Sequence, residues 1–205
     1  MKGKLMKTIN QPTEPTPSRR DIFKSGGKTV LSASAILALS GASGALTRAH
    51  ASSGDAAQDV TILNVALALE HEGIAAYQLG AESGLLTKGV LDVAVQFQSH
   101  HKAHRDALIA AIRSMDGAPV ETKSLEAYAE DLGAASLASQ NDVLELAARL
   151  ELGAANAYLG VIPSFHSHDL AQVAARLAAD ETMHWTALTS ALGGALPEGA
   201  LTFGA

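Results

Sequence analysis

From about residue 60 onward, apolar residues recur every three to four positions and nowhere alternate, a pattern that predicts helices and no strands. Clusters of Gly and Pro divide it into four long segments. The first runs from about Asp59 to Ser83 and ends near Gly84; the second runs from about Gly89 to Met115 and is closed by Asp116-Gly117-Ala118-Pro119. The third runs from about Gln140 to Ile162, stopped by Pro163, and the fourth from about Asp169 to Leu192, closed by Gly193 and Gly194. A short helical stretch, about Ser124 to Asp131, falls within the long connection between the second and third. Each long segment would extend roughly 30 Å at 1.5 Å per residue, the length of an ordinary bundle element.

The segments come in two similar pairs. The first carries Leu63, Leu67, Glu70, Ile74 and Tyr77 on one stripe, and the third carries Leu144, Ala148, Glu151, Ala155 and Tyr158 at the same positions, 81 residues on. The second carries His101-x-x-His104 followed by Ala107-Leu108. The fourth carries Glu181-x-x-His184 followed by Ala187-Leu188, 80 residues on. A helix pair written twice predicts an approximately two-fold symmetric bundle whose polar midpoints meet at one level.

Those midpoints are where the chemistry lies. Val173, Leu177 and Leu188 share a face with Glu181 and His184, and burying a carboxylate and an imidazole there costs free energy unless they are paired. Residues three apart on a helix converge on one point. Carboxylate oxygen together with imidazole nitrogen suits iron, manganese or zinc. A single Glu on each of the first and third segments can close the opposite side. His101 shares its face with His104 and Phe97, and is included in the candidate set. His71 and His100 point off the stripe, toward solvent or supporting positions, and Glu72 stands as a substitute for Glu70. Tyr77 and Tyr158 are expected to pack with a hydrogen-bonded hydroxyl. His166 and His168 are expected in solvent, and Trp185 in the core.

This arrangement resembles the ferritin-like superfamily. In its di-metal carboxylate members two helices each give a Glu and two others each give Glu-x-x-His. Glu70, Glu151, Glu181 and His184 match that pattern, His104 matches the remaining His, and the resemblance covers about residues 60–192. It implies an all-α, ferritin-like four-helix bundle holding one or two ions of iron or manganese, with zinc also accommodated, on Glu70, His101, His104, Glu151, Glu181 and His184. One position departs: His101 stands where the family usually has a Glu that bridges two metals. Three carboxylates then replace four, which leaves an asymmetric pair or a single metal as the alternatives.

Composition narrows the partners. No cysteine is present, which excludes disulfides, thiolate metal sites and iron–sulfur clusters. Residues 1–51 hold eight Lys/Arg against Glu14 and Asp21, whereas the remainder holds 7 Lys/Arg and 19 Asp/Glu. Nucleic acid is not an expected partner of so acidic a body. The basic segment Ser18-Arg19-Arg20-Asp21-Ile22-Phe23-Lys24, followed by a modest apolar run and Ala49-His50-Ala51, is similar to a twin-arginine export signal with cleavage before Ser52. The chain is accordingly divided into a disordered signal segment (1–51), a linker (52–59), the bundle (60–192) and a C-terminal tail (193–205). The resemblance implies the twin-arginine export machinery as a partner, a periplasmic or otherwise exported protein, and no membrane association after cleavage. Self-association is left open. Two functions follow: a redox metalloprotein that oxidises ferrous iron or reduces oxygen or peroxide, and a non-catalytic stress or binding protein with a structural or lost metal. An iron-storing cage is a third, for which no cage interface is evident.

Overall fold

The structure, a computed structural model, describes residues 53–204. The expected signal segment lies outside the described residues. Among the described residues there are five α-helices, α1 (Ser53–Glu82), α2 (Lys88–Ser114), α3 (Leu125–Asp131), α4 (Gln140–Val161) and α5 (His168–Ala191), with short 3-10 turns at Ala134–Ser136 and Ile162–Ser164. There is no strand among the described residues. None of these helices is long and apolar enough to cross a membrane.

Local chemistry explains most boundaries. Gly84, at a φ of 71°, takes the left-handed conformation just beyond the end of α1, and Gly193 at 72° does so after α5. Ser139 caps α4 in a reciprocal box with Asp142, and the Ser167 hydroxyl accepts from Leu170 N to cap α5. One boundary differs from expectation. Helix α1 begins at Ser53, so residues 53–58, read above as linker, are helical. Asp59, an N-cap type of residue, serves a different helix: its carboxylate accepts from His166 N and Ser167 N at the entrance to α5.

The short turns make α1/α2 and α4/α5 antiparallel hairpins. Residues 115–139 return the chain along α1, where Asn64 bonds Ala118 O and Val120 N, and His71 Nε2 bonds Val120 O. At the upper end Thr87 donates to Gln140, joining the α1–α2 turn to the start of α4. At the lower end Gln58 donates to Ser164 O. Helices α1 and α4 therefore face each other in opposite directions.

The apolar interior is split in two. Leu63, Leu67, Leu108, Ile112, Tyr158 and Leu177 pack in the lower half, and Tyr77, Phe97, Leu144, Ala147, Ala148 and Leu188 in the upper half. Trp185 packs against this upper group and meets Phe203 of the tail edge-on, at 5.2 Å between centroids. Leu67 is wholly buried. Leu67→Ala should destabilise the protein by about 2–5 kcal/mol, through lost burial and a void that the helices cannot close; denaturant titration checks this.

Candidate metal centre

Between the two apolar halves lies a polar layer supplied by all four long helices. Glu70 comes from α1, His101 and His104 from α2, Glu151 from α4, and Glu181 and His184 from α5. All six are buried, with Glu181 and His184 at 0% exposure. The one-face spacing brings them there, so every sequence-predicted site residue converges on one level of the bundle. They form two overlapping groups: Glu70, His101, His104 and Glu181, and His101, Glu151, Glu181 and His184. Within each group the donor atoms lie within 4.8 Å of one another. The repeat exchanges Glu70 with Glu151, His104 with His184 and His101 with Glu181, so it converts one group into the other. His101 and Glu181 are the two shared members.

Glu181 reaches both halves: its Oε1 lies 3.2 Å from His104 Nδ1 and its Oε2 3.0 Å from His184 Nδ1. His101 spans them as well, with Nδ1 2.8 Å from Glu70 Oε2 and Nε2 3.1 Å from Glu151 Oε1. A carboxylate only accepts, so both ring nitrogens donate and His101 is an imidazolium. Burial works against that charge, but the bonds to Glu151 and Glu70 prevail and push His101 up to about 10. Gly73 makes room for the ring. A Cβ there would come within 3.2 Å of His101 Nδ1.

The other shifts follow from the same contest between burial and pairing. Burial raises Glu70, but the hydrogen bond from His101 and the nearby His104 charge outweigh it and hold the group at about 2. Burial raises Glu151 too, and bonds from His101 and His184 hold it well below the usual carboxylate range. For Glu181 burial wins and the group is raised. His104 is pushed up to about 12, burial being overcome by its hydrogen bond to Asp180 and by the facing carboxylates of Glu181 and Glu70. His184 is raised by Glu151 and Glu181 against burial.

Supporting groups surround the six. The Tyr77 hydroxyl donates to Glu151 Oε1 at 2.5 Å, and the Tyr158 hydroxyl donates to Glu70 Oε1. The antiparallel arrangement of α1 and α4 sets each tyrosine level with the opposite helix's glutamate. Burial, and then the neighbouring carboxylates, raise both phenols well above their ordinary value, so they stay protonated donors. His104 Nε2 donates to Asp180 Oδ2 at 3.2 Å, and His184 Nε2 lies 2.9 Å from His100 Nδ1. Burial and the adjacent His184 charge lower His100. Asp180 and His100 occupy equivalent positions in the repeat, each just before Glu181 or His101. Tyr77→Phe or Tyr158→Phe should weaken metal binding about 10–100-fold, as losses of groups that orient ligands do, with the folded spectrum retained. Metal titration of each variant checks this.

Asp180 is not among the residues expected from the sequence; its position four residues before His184 is the signal that places it on the same face. His100, expected in solvent or in support, supports. His71 is buried against the return connection, and Glu72 is half-buried and outside both groups. His166 is 41% exposed and lies 3.2 Å from Asp55 Oδ1.

The donor set passes a test of fit for a cation. Three buried atoms, His104 Nδ1, Glu151 Oε2 and Glu181 Oε1, lack a well-directed hydrogen bond among the described residues and meet other members of the cluster only as charge pairs, His104 with Glu181 at 3.2 Å and Glu151 with His184 at 3.4 Å. An unsatisfied buried polar atom costs about 1–3 kcal/mol. Three of them, from three helices, are an arrangement that a cation bound to their lone pairs relieves. The cluster is compatible with a metal site, and its chemistry does not by itself fix which metal.

Comparison with known proteins agrees with the architecture. No curated protein matches the chain. Among solved structures, the crystal structure of a conserved hypothetical protein from Mycobacterium tuberculosis is similar at 24% identity and a TM-score of 0.58, over 73% of this chain and 99% of that one, a likeness of fold alone. Residues 58–194 match the family model of the ferritin-like domain, and the chain belongs to that family.

Proposed function

We propose that this protein is an exported ferritin-like metalloprotein that holds iron or manganese, as one or two ions, and carries out redox chemistry in the bundle interior. Zinc fits the same donors. The observation that carries the reading is the set of three buried ligand-type atoms without a well-directed hydrogen bond, each in a group of four potential ligands. Glu70 and His104 would hold one position, Glu151 and His184 the other, and Glu181 would serve both. His101 stands in both groups and would join either one as a ligand only after giving up a ring proton. A bound iron or manganese ion supplies one-electron chemistry suited to oxidising ferrous iron or reducing oxygen or peroxide.

The chain's own contribution is positioning and exclusion of water. Tyr77 and Tyr158 fix the orientation of Glu151 and Glu70 through hydrogen bonds. Asp180 and His100 engage the outer nitrogens of His104 and His184, which directs each Nδ1 inward. Phe97 stacks on the His184 ring at 4.1 Å and shields it on that side. Export is supported by the paired arginines and their flanking residues in the first segment. With no cysteine in the chain, electrons would come from the metal or an external partner.

One observation favours the second reading, a non-catalytic bundle. The His101 imidazolium already neutralises part of the carboxylate charge between Glu70 and Glu151. Oxygen and peroxide consumption on addition of ferrous iron separates the two. The redox reading expects consumption well above that of buffer and of Glu181→Ala; equal rates in all three would leave the non-catalytic reading.

A further inference from the structure

Above the polar layer, at the end of the bundle where α1 turns into α2, the packing leaves a cavity of about 190 Å³. All four long helices contribute to its wall. Small residues leave the space, notably Ala76, Ala94 and Ala147, while Gly80 admits the Val143 side chain, and the surrounding side chains are aliphatic or aromatic. The only polar side-chain atom in the wall is the Tyr77 hydroxyl, which is committed to Glu151.

The repeat shows that this space is particular to one end. Where the upper end has Gly80 and Val90, the equivalent positions at the lower end are Val161 and Leu170. The lower end is further packed by Ile112, Met115 and Phe165. At the upper end the exposed residues Gly89, Val93, Ala187 and Ala191 border the cavity, so it opens between the start of α2 and the end of α5. At its inner side stand Phe97, stacked on His184, and Tyr77, bonded to Glu151. One ring therefore separates the cavity from two of the candidate metal ligands.

We propose that this cavity binds a small uncharged apolar molecule, one aromatic ring or a short alkyl chain, directly beside His184 and Glu151. A wall whose side chains offer no free donor or acceptor penalises a charged or strongly polar occupant. An apolar cavity of about 150 Å³ stays dry and admits benzene, so the space here suffices for a molecule of that class. A largely apolar pocket beside convergent titratable groups is also the usual form of a small-molecule site. The cavity stands independently of any metal; the role of its occupant as a neighbour of bound metal rests on the function proposed above.

Fluorobenzene is the probe, followed by ¹⁹F NMR with the full chain, and two variants are compared with the native protein. Ala147→Leu fills the cavity, and Val93→Asp places a charge at the mouth, where Val93 is 41% exposed and its replacement should spare the fold. The expected result is saturable binding that weakens about tenfold or more in each variant, or about 1.4 kcal/mol. Loading with manganese should broaden the bound signal, whereas loading with zinc should not. Absent saturable binding, or equal binding in the native protein and both variants, overturns the proposal. So does loss of self-association in Val93→Asp without fluorobenzene binding, which would assign the mouth to a second copy of the chain. Variant-sensitive binding without manganese broadening supports the cavity and contradicts the metal reading instead, so the two failures are distinguishable.

Discussion

Glu181→Ala is expected to abolish tight metal binding, while Glu198→Ala leaves it unchanged. Glu181 is fully buried and is one of two residues common to both ligand groups. Its two oxygens face His104 and His184, so its removal takes a ligand from every cation position at once. Loss of a residue that only orients a ligand typically costs 10–100-fold; loss of a shared ligand should exceed about 100-fold. Glu198 is exposed in the C-terminal tail and serves as the control for a change in net charge. Glu181→Gln, which preserves size, separates ligation from packing: it should fold as the native protein does and bind metal as poorly as the alanine variant. Manganese and zinc titrations, with circular dichroism to confirm folding, provide the readout. Equal affinities for the Glu181 and Glu198 variants would contradict the assignment.

The second large effect is an opposition between pH dependences. Glu70 is held at about 2 against an ordinary 4.5, so its contribution to stability is complete above 4.5 and is lost as pH falls toward 2. His101 and His104 are raised from 6.5 to about 10 and about 12, so theirs is complete below 6.5 and is lost as pH rises through those values. Chelator-treated protein should be most stable between pH 4.5 and 6.5. Above that window it should lose about 1.4 kcal/mol per pH unit for each histidine that remains protonated only when folded. Metal binding runs the other way. An imidazole must give up a proton to become a ligand, so apparent affinity should rise about tenfold per pH unit for each proton displaced. Thermal melts of chelated protein and metal titrations at pH 6 and pH 9 should therefore change in opposite directions. Parallel changes would mean that the histidines do not exchange protons for metal.

Much of this was readable in the chain because helical spacing is local. Glu181 and His184 fall three apart on an apolar stripe, and the repeat transfers that reading to His101 and His104 and aligns Glu70 with Glu151. What escaped depends on how the helices pair. Tyr77 lies seven residues from Glu70 on its own helix, yet its partner is Glu151, since α1 and α4 run in opposite directions. Asp180 gains its role only once α2 faces α5. Asp59 looks like the start of α1 but binds the backbone just before the distant α5, a choice made by tertiary contact rather than by propensity. The apolar cavity likewise arises from small residues on several helices, no one of which signals a void.

The central claim is that a cation joins the buried carboxylates and imidazoles, and metal stoichiometry tests it most directly. Full-length protein dialysed against ferrous iron, manganese or zinc and then freed of excess metal should retain one or two ions per chain by elemental analysis, and Glu181→Ala should retain none. Folded native protein that takes up none of the three would contradict the account.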